Sequence, residues 1–403
     1  WQMAIPDAEL RPPSFSAYQD EFAEIFSRAV SDRLRAHKPV AAMMSGGMDS
    51  ASICAMATRH GRARGAPPLT TFSALEDDVS DCLESQSILQ MVSRLELNAR
   101  LLRVPSFTGF ASRTDLEEIA TRFVHPTDAS LSLVAMMCLG ASRDGHRVLL
   151  HGATGDVATH APMSYLSEVL HESGARAALR ELKLSEANHT YLAGLGKWRI
   201  AARNMHRSLT PRLLEQARIA VQERFGSGRK RWSLLAPDFV QSRNLIRRVT
   251  RSRVDALATF GDARREHLRI MFPIGVGRGL EGYERVAGHF GLEMRDPWAD
   301  RRVLEFMLRA PVSAKVGGGW TKLVARKEFE QDLGSEVVWR SDKPHLGWRF
   351  DHNTSQKPRI SPPTHIGFVA LRESVRPDSS ALEYIDVADA WLSRIAQIAP
   401  ATG

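Results

Sequence analysis

From Tyr18 to Ala36 the apolar residues Phe22, Ile25, Phe26, Ala29, Val30 and Leu34 recur three or four positions apart, which gathers them on one stripe of a helix. The period then shortens. Val40-Ala41-Ala42-Met43-Met44 is a continuous apolar run ending in Ser-Gly-Gly, and the pattern from Asp49 to Arg59 is helical again. Three more short runs follow, Leu69 to Ser73, Arg100 to Val104 and Arg147 to His151, with helical patterns at Glu84 to Arg94 and Ala129 to Ser142 between them. Short apolar runs alternating with helices predict an α/β fold, a parallel sheet with helices on both faces. From about Pro162 onward the pattern is mostly helical and polar, and no further strand is predicted. The expected organisation is a lead-in helix (residues 1–38), an α/β core (39–160) and a largely helical remainder (161–403).

The chain has 403 residues, 43% of them apolar and 25% charged, which excludes disordered, collagenous and disulfide-scaffold classes. Cys54, Cys82 and Cys138 are widely spaced and form no CxxC pair, as expected of a protein kept in a reducing cytosol. No apolar run is long enough to span a bilayer, and Trp1 to Asp20 lacks the pattern of a secretory signal. A cytoplasmic protein without a membrane partner is the expectation. The formal charge of +8 suits a polyanionic ligand such as a nucleotide, although over this length it is a weak pointer. Part of it lies between Gly226 and Arg269, at Arg229-Lys230-Arg231, Arg247-Arg248, Arg251 and Arg253. No stacking aromatics are interleaved there, so the segment reads as a solvated helix surface and a nucleic-acid partner is disfavoured.

The most informative residues are Ser45-Gly46-Gly47-Met48-Asp49-Ser50, placed between a predicted buried strand and a helix. Adjacent glycines let the backbone come close to an anion and accept positive φ. The helix start that follows aims unpaired N–H groups and the positive end of its dipole at the same point. The Ser45 and Ser50 hydroxyls can add donors to phosphate oxygens, whereas Asp49 cannot. A carboxylate beside a polyphosphate is repelled unless a divalent cation lies between them, so Asp49 implies Mg2+. The lysine and spacing of the Walker loop GxxxxGK[ST] are absent. A glycine turn would account for Ser-Gly-Gly by itself; Ser45, Gly46, Gly47, Asp49 and Ser50 together point to phosphate.

A second loop, Gly152-Ala153-Thr154-Gly155-Asp156, follows the fourth predicted strand. In an open parallel sheet, ligands sit outside the carboxyl ends of strands where the strand order reverses. If the first and fourth strands are neighbours, Gly152 and Gly155 join the first loop there, and Asp49 and Asp156 can share the metal. Taken alone, Asp156 reads as a helix cap.

These two loops, in this order, resemble the PP-loop ATP pyrophosphatases, specifically the synthetase domain of asparagine synthetase-like enzymes. The segment Leu292-Glu293-Met294-Arg295-Asp296-Pro297-Trp298-Ala299-Asp300 is similar to the family's EARxPFLD. Gly317-Gly318-Gly319-Trp320-Thr321-Lys322-Leu323-Val324-Ala325-Arg326 is similar to its GxxKxxLR helix start, and Arg340-Ser341-Asp342-Lys343 to its late RxxK. The resemblance implies that ATP is cleaved between its α- and β-phosphates. A substrate carboxylate attacks the α-phosphorus, pyrophosphate leaves, and an amine then displaces AMP to form an amide. By position, Ser45, Gly46, Gly47, Asp49 and Ser50 would hold pyrophosphate, and Asp49 with Asp156 would hold Mg2+. Lys322 and Lys343 match lysines that in β-lactam synthetase-type relatives contact phosphates and the reacting centre. A fixed ammonium in a water-poor cleft stabilises the charge that builds up there, although either lysine alone reads as an exposed side chain. Adenine would rest against backbone near Met44 and Phe72-Ser73. Trp1 is similar to the Trp that follows the family's N-terminal glutaminase-like domain, so such a domain or partner is expected to precede it.

Two departures restrict the activity. Where asparagine synthetase has a glutamate directly after the loop glycine this chain has Ala153, and the family's acidic pair at the loop end is Asp156-Val157. Alanine cannot accept a proton, so a base would come from elsewhere or from the substrate. Glu293, His151, His160 and His345 stand near the motifs, and each reads first as structural. The losses suit relatives in which the amine belongs to a larger substrate, such as lasso-peptide macrolactam synthetases. A glutamine-dependent asparagine synthetase-type domain is the alternative, and a tRNA-modifying PP-loop enzyme a remoter one.

Overall fold

A computed structural model of the chain describes Met3, Leu10 and residues 14–76, 78–104, 131–162, 164–187, 212–225, 235–257, 262–271 and 274–341. Strands β1 (Ala41–Met43), β2 (Thr70–Glu76), β3 (Asn98–Val104) and β4 (Val148–Leu150) form where the four apolar runs lie. Every residue of β1 and β4 is buried, as a strand covered on both faces requires. A fifth strand, β5 (Glu293–Arg295), joins them, and all five run parallel in the order β3-β2-β1-β4-β5. The reading of residues beyond 162 as free of strands is thus corrected. With three residues of which only Met294 is buried, β5 has no readable hydrophobic pattern. Its place comes from pairing with β4, where Glu293 N donates to Arg147 O at 2.9 Å and His151 N to Arg295 O at 3.0 Å.

Along β1 the side chains alternate between two cores. Ala42 and the following Met44 face a core built from α1 (Phe15–Arg33), α2 (Met48–Ala63) and α3 (Leu83–Leu95). Ala41 and Met43 face the opposite core, which includes α4 (Ser132–Arg143). Short α5 (Gly155–Ala158) follows β4, and the remainder continues as α6 (Tyr165–Ala187), α7 (Arg212–Phe225), α8 (Pro237–Ser242), α9 (Leu245–Leu257), α10 (Ala263–Met271) and α11 (Ile274–His289). After β5 come α12 (Arg301–Arg309), α13 (Val312–Lys315), a hairpin of β6 (Val316–Gly317) and β7 (Trp320–Thr321), then α14 (Leu323–Leu333) and α15 (Ser335–Val338).

The lead-in helix is built into the main core. Phe22 and Phe26 of α1 have no exposure and lie 5.9 and 4.4 Å from the ring of Trp298, itself fully buried. Val286 and Ala287 of α11 cover the other face of the sheet together with α4. Arg247, Arg248 and Arg251 on α9 are exposed and Arg253 is half-buried, so the basic stretch is mostly a solvated face where it is described. Among the described residues no helix is long and apolar enough to cross a membrane. Strand order reverses at β1, with β2 on one side and β4 on the other, and Ala42 is level with Leu150. The loops leaving β1 and β4 therefore emerge side by side, at the crevice where such sheets bind ligands.

Candidate active site

The last pairing of β1 with β2 is Met44 N donating to Phe72 O at 3.0 Å, after which the chain turns into α2. Ser45 N donates to Ser50 Oγ at 3.0 Å, the two hydroxyls are 3.0 Å apart, and Gly47 N donates to Ser45 Oγ at 3.3 Å. Two serines thus fold the loop onto the first helical turn. A Cβ at Gly46 would lie 2.6 Å from Glu84 Cγ and 2.7 Å from Glu84 O, so only glycine passes between the loop and α3.

The second loop packs on the first backbone to backbone. A Cβ at Gly152 would stand 2.9 Å from Asp49 C and Ser50 N, and one at Gly155 would stand 2.3 Å from Asp49 Cγ. The segment after β5 clamps both loops. Trp298 Nε1 donates to Asp49 O at 3.0 Å, and Asp296 Oδ2 accepts from Thr154 N at 2.9 Å and Thr154 Oγ1 at 2.7 Å.

Lys322 closes the arrangement. Its Nζ lies 2.5 and 2.6 Å from the carboxylate oxygens of Asp49 and 2.7 Å from Asp156 Oδ1. Burial alone pulls its pKa down, but Asp49 and Asp156 outweigh burial and hold the ammonium above its ordinary value. Arg326, one helical turn along α14, donates through Nε to Thr321 O at 2.7 Å and through Nη1 to Val338 O, with its guanidinium 4.7 Å from the Trp320 ring and 5.8 Å from the Trp339 ring. Burial lowers its pKa to about 10, which leaves it charged at neutral pH. Arg340 donates through Nη2 to Gly46 O at 3.0 Å and through Nη1 to Ser87 Oγ.

These groups border a cavity of about 400 Å³. Its lining combines the serine-glycine loop, Lys322, Arg326 and Arg340 with the apolar Met43, Ala74, Leu133, Val134 and Met137. Donors and apolar surface in one cavity are the chemistry that a nucleotide would require.

Of the residues expected from sequence, Met44, Ser45, Gly46, Gly47, Asp49, Ser50, Gly152, Asp156 and Lys322 line the cavity. Gly155 sits behind the Asp49 carboxylate. Phe72 and Ser73 are not brought there: both are wholly buried, the Phe72 carbonyl is taken by Met44, and β2 reaches the cavity only at Ala74. Lys343 and His345 lie outside the described residues. Glu293 begins β5, at the end of the strand away from the crevice, and is bound by Arg295, which holds its carboxyl below the usual range. His160 is off the cavity, its pKa pushed down to about 4 by burial and then by Lys315. His151 does line the cavity. Burial keeps its ring neutral against the pull of Asp296, and Ala153 N donates to its Nδ1 at 3.3 Å, which puts the ring proton on Nε2.

Sequence reasoning did not single out Glu84, Tyr283, Arg326 or Arg340, all of which line the cavity. Arg326 and Arg340 are the arginines of the segments similar to GxxKxxLR and RxxK, which is the available signal. Glu84 and Tyr283 are ordinary helix positions with none.

The chain matches no curated protein. The family model described as asparagine synthase matches residues 21–357, a span that includes both loops, Lys322, Arg326 and Arg340. The chain therefore belongs to the asparagine synthase family and is an ATP-dependent carbon–nitrogen ligase that works through an AMP-activated intermediate.

Proposed function

We propose that this ligase is a specialised amide synthetase of the macrolactam-forming, lasso-peptide type. It adenylates a carboxylate of a peptide and lets the peptide's own amine displace AMP. The observation that carries this reading is Ala153: it lines the cavity at the position where asparagine synthetase-like enzymes have a glutamate. Val157, in place of the second loop carboxylate, packs on the hydrophobic core. A small-amine enzyme needs a base for an ammonium ion. A peptide α-amine titrates at about 7.7–8.0 and arrives partly neutral, so the loss of a base at residue 153 is tolerable for that substrate.

The chemistry balances with the groups in place. A carboxylate oxygen attacks the α-phosphorus, the bond to the oxygen bridging to the β-phosphorus breaks, and pyrophosphate leaves into the loop of Ser45 to Ser50. The amine nitrogen then attacks the acyl carbon, the carbon–oxygen bond to AMP breaks so that AMP leaves with that oxygen, and the proton of the amine passes to solvent water. Lys322, Arg326 and Arg340 oppose the negative charge that grows on the phosphates. Lys343 is expected to act with them.

Asp49 and Asp156 fit Mg2+. Both carboxylates already converge on one cationic atom, Lys322 Nζ, and hard oxygen donors of this kind suit the ion. Among the described residues no group of three or more His, Cys, Asp or Glu side chains could hold a metal, so the remaining ligands would be phosphate oxygens and water. When bound, the ion would neutralise phosphate charge.

On this reading the partner is the peptide substrate; a glutaminase-like domain supplying ammonia belongs to the asparagine synthetase-type alternative. Pyrophosphate release separates the two. Candidate precursor peptides are expected to drive release and to yield a product lighter by one water. Turnover of aspartate with ammonia would contradict the proposal.

A further inference from the structure

The turn of the β6–β7 hairpin is Gly318-Gly319, with φ of 60° and 79°, the left-handed pair that a two-residue hairpin of this hand requires. Its two N–H groups point at one carboxylate. Gly318 N donates to Glu181 Oε1 and Gly319 N to Glu181 Oε2, each at 2.9 Å. Consecutive N–H groups around an anion are a strong anchor, because the acceptor is charged and both donors are preset. The contact is also close in the steric sense. A Cβ at Gly319 would stand 2.3 Å from Leu184 C and 2.6 Å from Ser185 N, so the hairpin lies directly on the backbone of α6.

Three residues after this turn stands Lys322, itself left-handed at φ 60° although it is not glycine. That conformation is unfavourable for a residue with a Cβ and persists only where the surroundings impose it. Two supports are visible. Arg326 Nε grips Thr321 O from the helix side, and Glu181 grips the turn from the other.

We infer that Glu181 is a positioning residue for Lys322: by seating the glycine turn on α6, it aims the ammonium at the Asp49 and Asp156 carboxylates. This rests on the reading of Lys322 as part of the phosphate site, and it ties α6, in the helical remainder, to the chemistry at the sheet edge.

Acetylation footprinting of the full chain, read by mass spectrometry at Lys322, tests the placement without any turnover. Wild type is expected to protect Lys322, Glu181→Ala to raise its labelling rate by about tenfold, and Glu181→Gln, which keeps one acceptor oxygen, to fall between. Alanine suits a helix position, so α6 should persist; if Glu181→Ala fails to fold, Glu181→Gln decides by the same readout. Unchanged labelling at Lys322 in the variant that folds overturns the proposal, as does a Lys322 in wild type that labels like a free lysine. A double-mutant cycle adds the functional arm. Glu181→Ala should lower kcat by about tenfold in wild type and by less than about twofold in a Lys322→Met background. Equal losses in both backgrounds also overturn it. Should Lys322→Met alone keep the wild-type rate, the phosphate-site reading of Lys322 fails, while the footprint still decides whether Glu181 places it.

Discussion

The ammonium of Lys322 and the carboxylate of Asp49 are 273 positions apart in the chain and 2.6 Å apart in space. Asp49 stands in the first turn of the helix after β1, Lys322 caps the helix after the β6–β7 hairpin, and Asp156 reaches the same nitrogen from the short helix α5 after β4. Three segments with no local relation thus meet at one charge, directly beside the serine-glycine loop. A family member that must manage pyrophosphate as a leaving group has its cation where the loop ends.

Removing that cation while keeping its volume should show its role in the chemical step. Lys322→Met is expected to lower AMP formation by about a hundredfold or more, mainly in kcat, because the interaction strengthens as phosphate charge builds up. Pyrophosphate release at saturating ATP is the measurement.

Gly155→Ala introduces a single methyl group where the Asp49 carboxylate already lies, 2.3 Å from its Cγ. The carboxylate must move. The expected result is a loss of activity of about tenfold or more, with a loss of folding stability from overpacking of about 1–3 kcal/mol that lowers the unfolding midpoint. Parallel assays of turnover and thermal unfolding check both.

With Ala153 unable to take a proton and His151 held neutral by burial, the pH profile should belong to the substrate. The rate is expected to rise with pH and level off above about 8, following the α-amine. His151→Asn should leave that limb in place. A limb that moves in the His151 variant would return the proton transfer to the enzyme.

Asp300 links α1 to the segment after β5 through Arg33 at 2.6 Å and Arg302 at 2.8 Å. Burial pushes its pKa up, but hydrogen bonds from Arg302 and Arg33 prevail and hold the carboxyl well below the usual range. A depressed folded-state pKa stabilises above the unfolded value, near 3.9, and that stabilisation is lost as pH falls toward the folded value. Asp300→Asn keeps the helix cap and removes the charge. It should cost about 1–2 kcal/mol at pH 7, after allowing for solvent around Arg302. The gap from wild type should shrink as denaturant unfolding is repeated below about pH 4.

Much of this architecture is legible in the chain because parallel strands buried on both faces must be apolar throughout, and Ala41–Met43 and Val148–Leu150 are. From strand neighbours and two glycine loops, the meeting of Asp49 with Asp156 follows. Strand β5 escapes because pairing with β4, and not its own three residues, makes it a strand. Phe72 and Ser73 stop two residues and one residue short of Ala74, where β2 reaches the cavity, since the point where β2 clears its neighbour depends on where the Met44 pairing stops. Arg326 and Arg340 act through backbone carbonyls at Thr321, Val338 and Gly46, contacts that no spacing within a motif reveals.

On the proposed function, Asp49, Asp156 and the two glycine loops form one site for a metal-bound triphosphate. Titration calorimetry with Mg2+ and α,β-methylene ATP addresses it most directly, because that analogue cannot be cleaved at the bond in question. Wild-type protein should bind it, and Asp49→Asn, in a preparation shown to be folded by circular dichroism, should bind at least about tenfold more weakly. Equal affinity in the two proteins, or no heat of binding in wild type, would contradict the account.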